Sequence, residues 1–165
     1  MSSIELRDAR PADFAAVVAL NASEVSHTSA MDEACLAQLD RYACYHKVVE
    51  IDGEVGAFLL AMRENCGYAN ANYEWFAARY PSFLYVDRIV VGARHQGLRL
   101  GKRLYQDLFE YARAQAIPVV VCEYNLVPPN EPSRIFHDKF GFKEVGSQWL
   151  DGGAKLVSLQ VASVI

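Results

Sequence analysis

The stretch RHQGLRLGKRLY, Arg94–Tyr105, sets Gly97 and Gly101 among basic side chains, and it decides how the rest of the chain is read. Before it runs FLYVDRIVV, an apolar segment that reads as a buried strand ending at Gly92. After it runs GKRLYQDLFEYARAQA, in which Leu104, Leu108, Tyr111 and Ala112 make an inner stripe and Arg103, Asp107, Glu110 and Arg113 an outer one. A strand therefore turns directly into an amphipathic helix. The first N–H groups of a helix have no intrahelical acceptor, and the helix dipole adds partial positive charge there. Such a turn binds anions, phosphate above all. Glycine at 97 and 101 lets the backbone approach phosphate oxygens without Cβ interference. Arg94, Arg99, Lys102 and Arg103 supply counter-charge. The plainer reading is a solvated basic helix start.

Two familiar phosphate loops fail on spacing. A nucleotide P-loop needs GxxxxGK followed by Ser or Thr, whereas Lys102 is followed by Arg103. A dinucleotide fingerprint needs GxGxxG, which this turn does not contain.

Upstream, IELRDA alternates like a short strand, and RPADFAAVVALNASEV has Pro near a helix start with apolar spacing at Phe14, Val17, Val18 and Val25. MDEACLAQLDRYA reads as a second helix, with acids in its first turn. YHKVVEIDGEVGAFLLAMR is two strands around Asp52-Gly53, a strong hairpin signal. NCGYANANYEWFAARYPS is a long aromatic-rich connection. Downstream, IPVVVCEYN is a strand and VPPNEP a loop. SRIFHDKF is a short helix stopped by Gly141, and FKEVGSQWL and KLVSLQVA close the chain as a hairpin through DGGA. The pattern predicts an α/β fold with a mixed sheet flanked by helices.

The 165 residues, 52% hydrophobic and 22% charged, fit a single globular domain spanning 1–165. A net charge of −4 argues against a nucleic-acid partner. MSSIELRDARPADF lacks the apolar core of a secretory signal, and VGAFLLAM is too short to cross a bilayer, so the expected location is the cytoplasm, away from membranes. Cys35, Cys44, Cys66 and Cys122 are scattered without metal-ligand spacing, and reduced thiols of this kind pack as small hydrophobes.

VVGARHQGLRLGKRLY resembles the acetyl-CoA motif of the GNAT superfamily of N-acetyltransferases, in which Val-x-Pro leads into [Gln/Arg]-x-x-Gly-x-[Gly/Ala]. Val91, Gln96 and Gly101 match; Ala93 stands in the Pro place and Arg99 in that of the first Gly. NEPSRIFHDKFGF resembles the family's Asn-x-x-Ala-x-x-Leu-Tyr-x-x-x-Gly-Phe through Asn130, Ser133, Phe136, Gly141 and Phe142, with His137 in the Tyr place. The resemblance is specific from about Phe83 to Val145. It implies a GNAT-like fold whose splayed strands hold acetyl-CoA. The backbones of Ile89, Val90 and Val91 would face the thioester and pantetheine. Gln96, Gly97, Leu98, Arg99, Leu100, Gly101 and Lys102 would wrap the pyrophosphate, with Asn130, Ser133 and Phe136 on the far wall. An N–H in the Ile89–Val91 run would serve as oxyanion donor.

Acetyl transfer to an amine needs a base, because an alkylammonium has a pKa of about 10.4. Asp87 lies two residues before Ile89 and is expected to share its face with Ile89 and Val91; its alternative is an ion pair with a neighbouring Arg. Glu123 matches a Glu common in the family's next strand, and a water chain between the two carboxylates is a third possibility. His137, in the Tyr place, is the expected acid for the leaving thiolate, against a ring that only packs, with Tyr105 or Tyr124 as substitutes. Tyr73, Trp75, Phe76 and Tyr80 are candidates for an acceptor wall, for core or for a dimer contact. Glu24 and His27, after the first helix, are candidates for the acceptor side or simply exposed loop. The expected activity is acetyl transfer from acetyl-CoA to a primary amine of a small molecule or peptide, by a monomer or homodimer. The alternative is a CoA-binding sensor or structural domain without turnover.

Overall fold

The computed structural model describes residues 3–23 and 30–164. Val25, Glu24 and His27 lie outside the described residues. A seven-stranded sheet in the order β1-β2-β3-β4-β5-β7-β6 forms the centre. Its strands are β1 (Ile4–Asp8), β2 (Tyr45–Ile51), β3 (Glu54–Arg63), β4 (Leu84–Val91), β5 (Val119–Val127), β6 (Lys143–Leu150) and β7 (Lys155–Ser163). Only β4 and β5 run parallel, so the sheet is mixed, as the pattern predicted. The β2–β3 hairpin turns on Asp52 and Gly53 with φ of 50° and 84°, the left-handed pair a two-residue turn needs.

Among the described residues five α-helices flank the sheet: α1 (Phe14–Ser23), α2 (Glu33–Tyr42), α3 (Ala71–Ala77), α4 (Leu100–Ala114) and α5 (Glu131–Lys139). The short α3 lies inside the segment read as a connection. Asn70 caps it by accepting from the N–H groups of Asn72 and Tyr73, a local signal that its aromatic residues masked. Gly141, at φ 81°, follows the end of α5 as expected.

Two apolar clusters cover the two faces of the sheet. Leu100, Leu104, Leu108 and Ala112 of α4 pack with Leu84, Val86, Val120 and Cys122. Phe14, Leu36, Tyr73 and Phe76 pack on the other face with Tyr85, Val90, Val121 and Val157. Tyr73 and Phe76 are thus core. On α4 the inner stripe holds at Leu104, Leu108 and Ala112, but Tyr111 is half-exposed. Asp107, read as water-facing, instead accepts from Tyr45 Oη and Lys47 Nζ, each at 2.7 Å. Cys122 is buried, whereas Cys35 and Cys44 are exposed.

The β3–β4 ladder carries a bulge beside the end of the β4–β5 pairing. Leu60 pairs with Arg88 and Ala61 with Val86, which leaves Asp87 as an extra residue in β4. A bulge of this kind bends and twists its strand. Beyond it β4 leaves β5: the two pair only at Leu84↔Val120 and Tyr85↔Val121. The bulge also overturns the expected side-chain parity. Ile89 and Val91 pack on the α4 face, while Asp87 turns the other way to meet Tyr68 and Arg88.

Candidate active site

The splay between β4 and β5 opens a cleft of about 1040 Å³ that reaches from the first turn of α4 to the β6–β7 hairpin. At one end is the glycine–basic turn. Gly97 has φ 89° and Arg99 φ 57°, so Arg99 adopts the left-handed conformation that a glycine would take most easily. Helix α4 begins at the next residue, and Leu100, Gly101 and Lys102 of its first turn line the cleft. Gln96 donates from Nε2 to the Val91 carbonyl at 3.0 Å, tying the turn to the end of β4. A Cβ on Gly101 would stand 3.1 Å from Phe136 Cζ, so the glycine keeps the helix start and the α5 wall close together. Arg99 and Lys102 line the cleft, whereas Arg94 is turned outward in an exposed pair with Glu54 at 3.1 Å. Leu98 projects into solvent at 43% exposure, and the Leu100 side chain is core. A pyrophosphate fits this donor set: N–H groups at a helix start, two cations and a glycine-permitted approach.

The remaining predicted residues line the same cleft. Ile89, Val90 and Val91 border the gap from β4, and Asn130, Ser133 and Phe136 border it from α5. Asn130 caps α5 by accepting from the Ser133 N–H at 3.3 Å.

Deeper in, the two faces of β5 carry different chemistry. Glu123 shares its face with Val121, on the α3 side, and accepts a hydrogen bond from Tyr85 Oη. Burial, reinforced by the Asp87 charge, lifts the Glu123 carboxyl to about 7 despite its hydrogen bonds from Tyr85 and Asn72. Asn72 is itself held by Gln148, whose Nε2 donates to Asn72 Oδ1 at 2.9 Å. Asp87 has both oxygens engaged, Oδ1 by Tyr68 Oη and Oδ2 by Arg88 Nε, each at 2.7 Å. Asn125, 8% exposed, lines the cleft, and its Nδ2 has no partner among the described residues.

The opposite face of β5 meets α5. Tyr124 lies against His137 with ring centroids 5.8 Å apart. His137 is 4% exposed. Its Nδ1 reaches the Ser133 carbonyl at 2.7 Å, and a carbonyl can only accept, so Nδ1 carries the proton. Nε2 is then the acceptor for Tyr105 Oη at 2.7 Å. Burial lowers the His137 pKa, in agreement with this neutral ring.

Tyr85, Asn72 and Asn125 escaped the sequence reading. Tyr85 looks like an ordinary strand aromatic, and Asn72 reaches Glu123 only through the fold. Trp75 and Tyr80 pack against the core beside α3.

The family model for the acetyltransferase (GNAT) family matches residues 14–142. The chain belongs to the GNAT acetyltransferase family. GNAT enzymes take their acetyl group from acetyl-CoA. Among solved structures the chain is similar to Ard1 from Thermoplasma volcanium, with a TM-score of 0.81 and 16% identity over 98% of each chain. It is also similar to the ribosomal-protein-S18-alanine N-acetyltransferase from Escherichia coli, with a TM-score of 0.72 and 14% identity over 99% of this chain and 94% of that one. Arabidopsis thaliana Naa50, in complex with the bisubstrate analogue CoA-Ac-MVNAL, gives a TM-score of 0.73 and 15% identity over 98% of this chain and 99% of that one. At these identities the likeness is one of fold. It agrees with the mixed α/β architecture.

Proposed function

We propose that this GNAT enzyme acetylates a primary amine, with Glu123 as base and Tyr124 as acid. The observation that carries the reading is the parity of β5 at the splay. Successive strand residues point to opposite faces. Glu123 therefore faces the α3 side and Tyr124 the α5 side, across a single backbone. An amine approaching Glu123 and a thiol departing past Tyr124 would each meet its own proton-transfer group, the base for addition to the carbonyl and the acid for collapse of the tetrahedral intermediate.

Bound acetyl-CoA supplies an activated acetyl thioester. Glu123, ionised above about pH 7, takes a proton from the acceptor nitrogen. Tyr85 and Asn72 hold the carboxyl in place, and the Asp87 charge keeps it basic, so Asp87 acts on Glu123 from a distance. A backbone N–H in the Ile89–Val91 run is the proposed oxyanion donor. Tyr124 Oη accepts from Gln160 Nε2 at 3.2 Å and hydrogen-bonds Ser158, whose hydroxyl donates to Glu144, so Tyr124 carries a proton that it would redirect from Ser158 to the thiolate. Burial raises the Tyr124 pKa, but it raises that of a thiol in the same cleft as well. What favours Tyr124 over His137 is the ring's tautomer: Nε2 accepts from Tyr105 and has no proton to give. Tyr124→Phe is expected to lower kcat about 100-fold with little change in acetyl-CoA affinity. His137→Phe should chiefly lower stability, by about 1–3 kcal/mol, since it strips the acceptor from the buried Tyr105 hydroxyl. A His137→Phe enzyme with a parental melting temperature but a 100-fold lower kcat would return the acid to His137.

The acceptor side offers Asn70, Asn72, Asn125 and Lys155 around Glu123, a polar lining suited to an amine whose neighbouring groups form hydrogen bonds. Both small amines and peptide α-amines meet that description, and the S18-alanine enzyme and the peptide-analogue complex among the similar folds favour testing peptides first. The deciding experiment is an assay of thiol release from acetyl-CoA over a panel of small amines and N-terminal peptides. Acetylation of at least one amine is expected; tight acetyl-CoA binding without turnover on any amine would support the sensor reading.

A further inference from the structure

Beside Glu123 the cleft holds a buried donor with nothing to donate to. Asn125 lies two residues from Glu123 on β5, so the two side chains share the α3 face. The register agrees, since Asn125 lies opposite Val157, which packs on that face. Asn125 Nδ2 is one of four buried, unpartnered side-chain atoms among the described residues, and of the four only Asn125 lines the cleft. Buried amide donors are normally paired, so one left open in a cleft wall is open to a ligand.

The side-chain oxygens around it are already engaged. Asn70 Oδ1 accepts from the N–H groups of Asn72 and Tyr73, and Asn72 Oδ1 accepts from Gln148 Nε2. Both Asp87 oxygens are held, by Tyr68 and Arg88. Lys155, two residues before Val157 and on the same face, lines the cleft with a loose pair to the exposed Asp151 at 3.9 Å. Next to the Glu123 carboxyl, therefore, this wall presents an unpaired donor and a cation.

Building on the acetyltransferase reading above, we propose that the acceptor is an α-amino acyl compound, an amine with a carbonyl on the carbon that bears the nitrogen. Asn125 selects it by donating from Nδ2 to the carbonyl oxygen. Same-face neighbours on a strand stand about 7 Å apart. A nitrogen at Glu123 and an oxygen at Asn125, each at hydrogen-bond distance from its partner, then belong to one short fragment. A simple alkylamine would displace water from Nδ2 and return no hydrogen bond. Free amino acids and peptide N-termini share the fragment, and the free amino acid adds a carboxylate charge within reach of Lys155.

Steady-state kinetics at saturating acetyl-CoA test this, with alanine amide set against isopropylamine, in which a methyl group replaces the carboxamide. The readout is the ratio of the two kcat/KM values within one enzyme, so a general loss of activity cancels. The parent is expected to favour alanine amide. Asn125→Leu, of similar size, should lower the ratio about 100-fold. Asn125→Asp, which keeps the shape but puts an acceptor in place of the donor, should lower it at least as far. A parental ratio in either variant overturns the proposal, as does a parent that prefers isopropylamine. Equal losses on both amines with a lower melting temperature would make Asn125 structural and overturn it too. Free alanine and a peptide beginning in alanine identify the source. A free amino acid is indicated if alanine is the better substrate and Lys155→Gln removes its advantage; a peptide is indicated if the peptide is better and keeps its lead in Lys155→Gln. Absence of turnover on any amine would sink the acetyltransferase reading itself, whereas an active enzyme with an unmoved ratio sinks this proposal alone.

Discussion

Glu123→Gln is expected to lower kcat/KM for amine acetylation by about 10²–10⁴-fold, the range for loss of one positioned base. The substitution keeps the size of the side chain and its capacity to accept from Tyr85. Acetyl-CoA affinity should hold, because the carboxyl acts on the acceptor nitrogen. The parent should lose activity as pH falls through about 7, where Glu123 becomes protonated. The variant should lack that limb. Stability gives an independent readout with the opposite sign. Burial raises the folded-state pKa of Glu123 from 4.5 to about 7, so the native state holds the proton more tightly than the unfolded chain does. That contribution is complete below 4.5 and is lost as pH rises through 7, a change of about 3 kcal/mol at most. Glu123→Gln should therefore gain stability relative to the parent between pH 5 and pH 8, when urea unfolding is compared at the two pH values. A variant with parental kcat/KM and a parental pH profile would remove Glu123 from the chemistry.

Replacing Gly101 with Leu should abolish the rise in melting temperature that acetyl-CoA produces and weaken its binding by about 100-fold or more, close to 2.7 kcal/mol. The Cβ alone would stand 3.1 and 3.2 Å from Phe136 and 3.8 Å from Val91, so the Phe136 ring on the cleft wall must give way to admit the side chain. The helix itself should tolerate the change, since leucine favours α-helix over glycine by close to 1 kcal/mol. Loss of binding with an unchanged melting temperature of the free protein would thus place the defect at the anion-binding turn. A well-folded Gly101→Leu protein that binds acetyl-CoA like the parent would show that the turn is not where the phosphates sit. Isothermal titration calorimetry separates the two outcomes.

The glycine–basic turn between a strand and an amphipathic helix was legible in the sequence because its signals are local. Glycine at 97 and 101, the apolar strand before them and the amphipathic helix after them all act within a few residues. The mixed sheet followed from element order, and the Asp52-Gly53 hairpin from turn chemistry. The face of Asp87 was not legible. Period-2 counting placed it with Ile89 and Val91, but the bulge adds one residue and reverses the parity, and nothing in VDRIV announces a bulge. Nor could spacing show that the His137 Nε2 is occupied by Tyr105, thirty-two residues away in sequence. The positioning of Glu123 depends on Tyr85, Asn72 and Gln148, which come from three separate segments and meet only when β4, α3 and β6 close around β5.

The adjacency of Glu123 and Tyr124 has a consequence for how such a protein can change over generations. A strand counts in twos, so a single-residue insertion or deletion in β5 upstream of Glu123 would exchange the faces of the two groups while leaving both in the chain. The proposed base would then look toward α5 and the proposed acid toward α3, and on that proposal the protein would lose activity while keeping its fold. Length changes in this strand are tolerable only in pairs or beyond Asn125, where the ladder to β7 already shifts register.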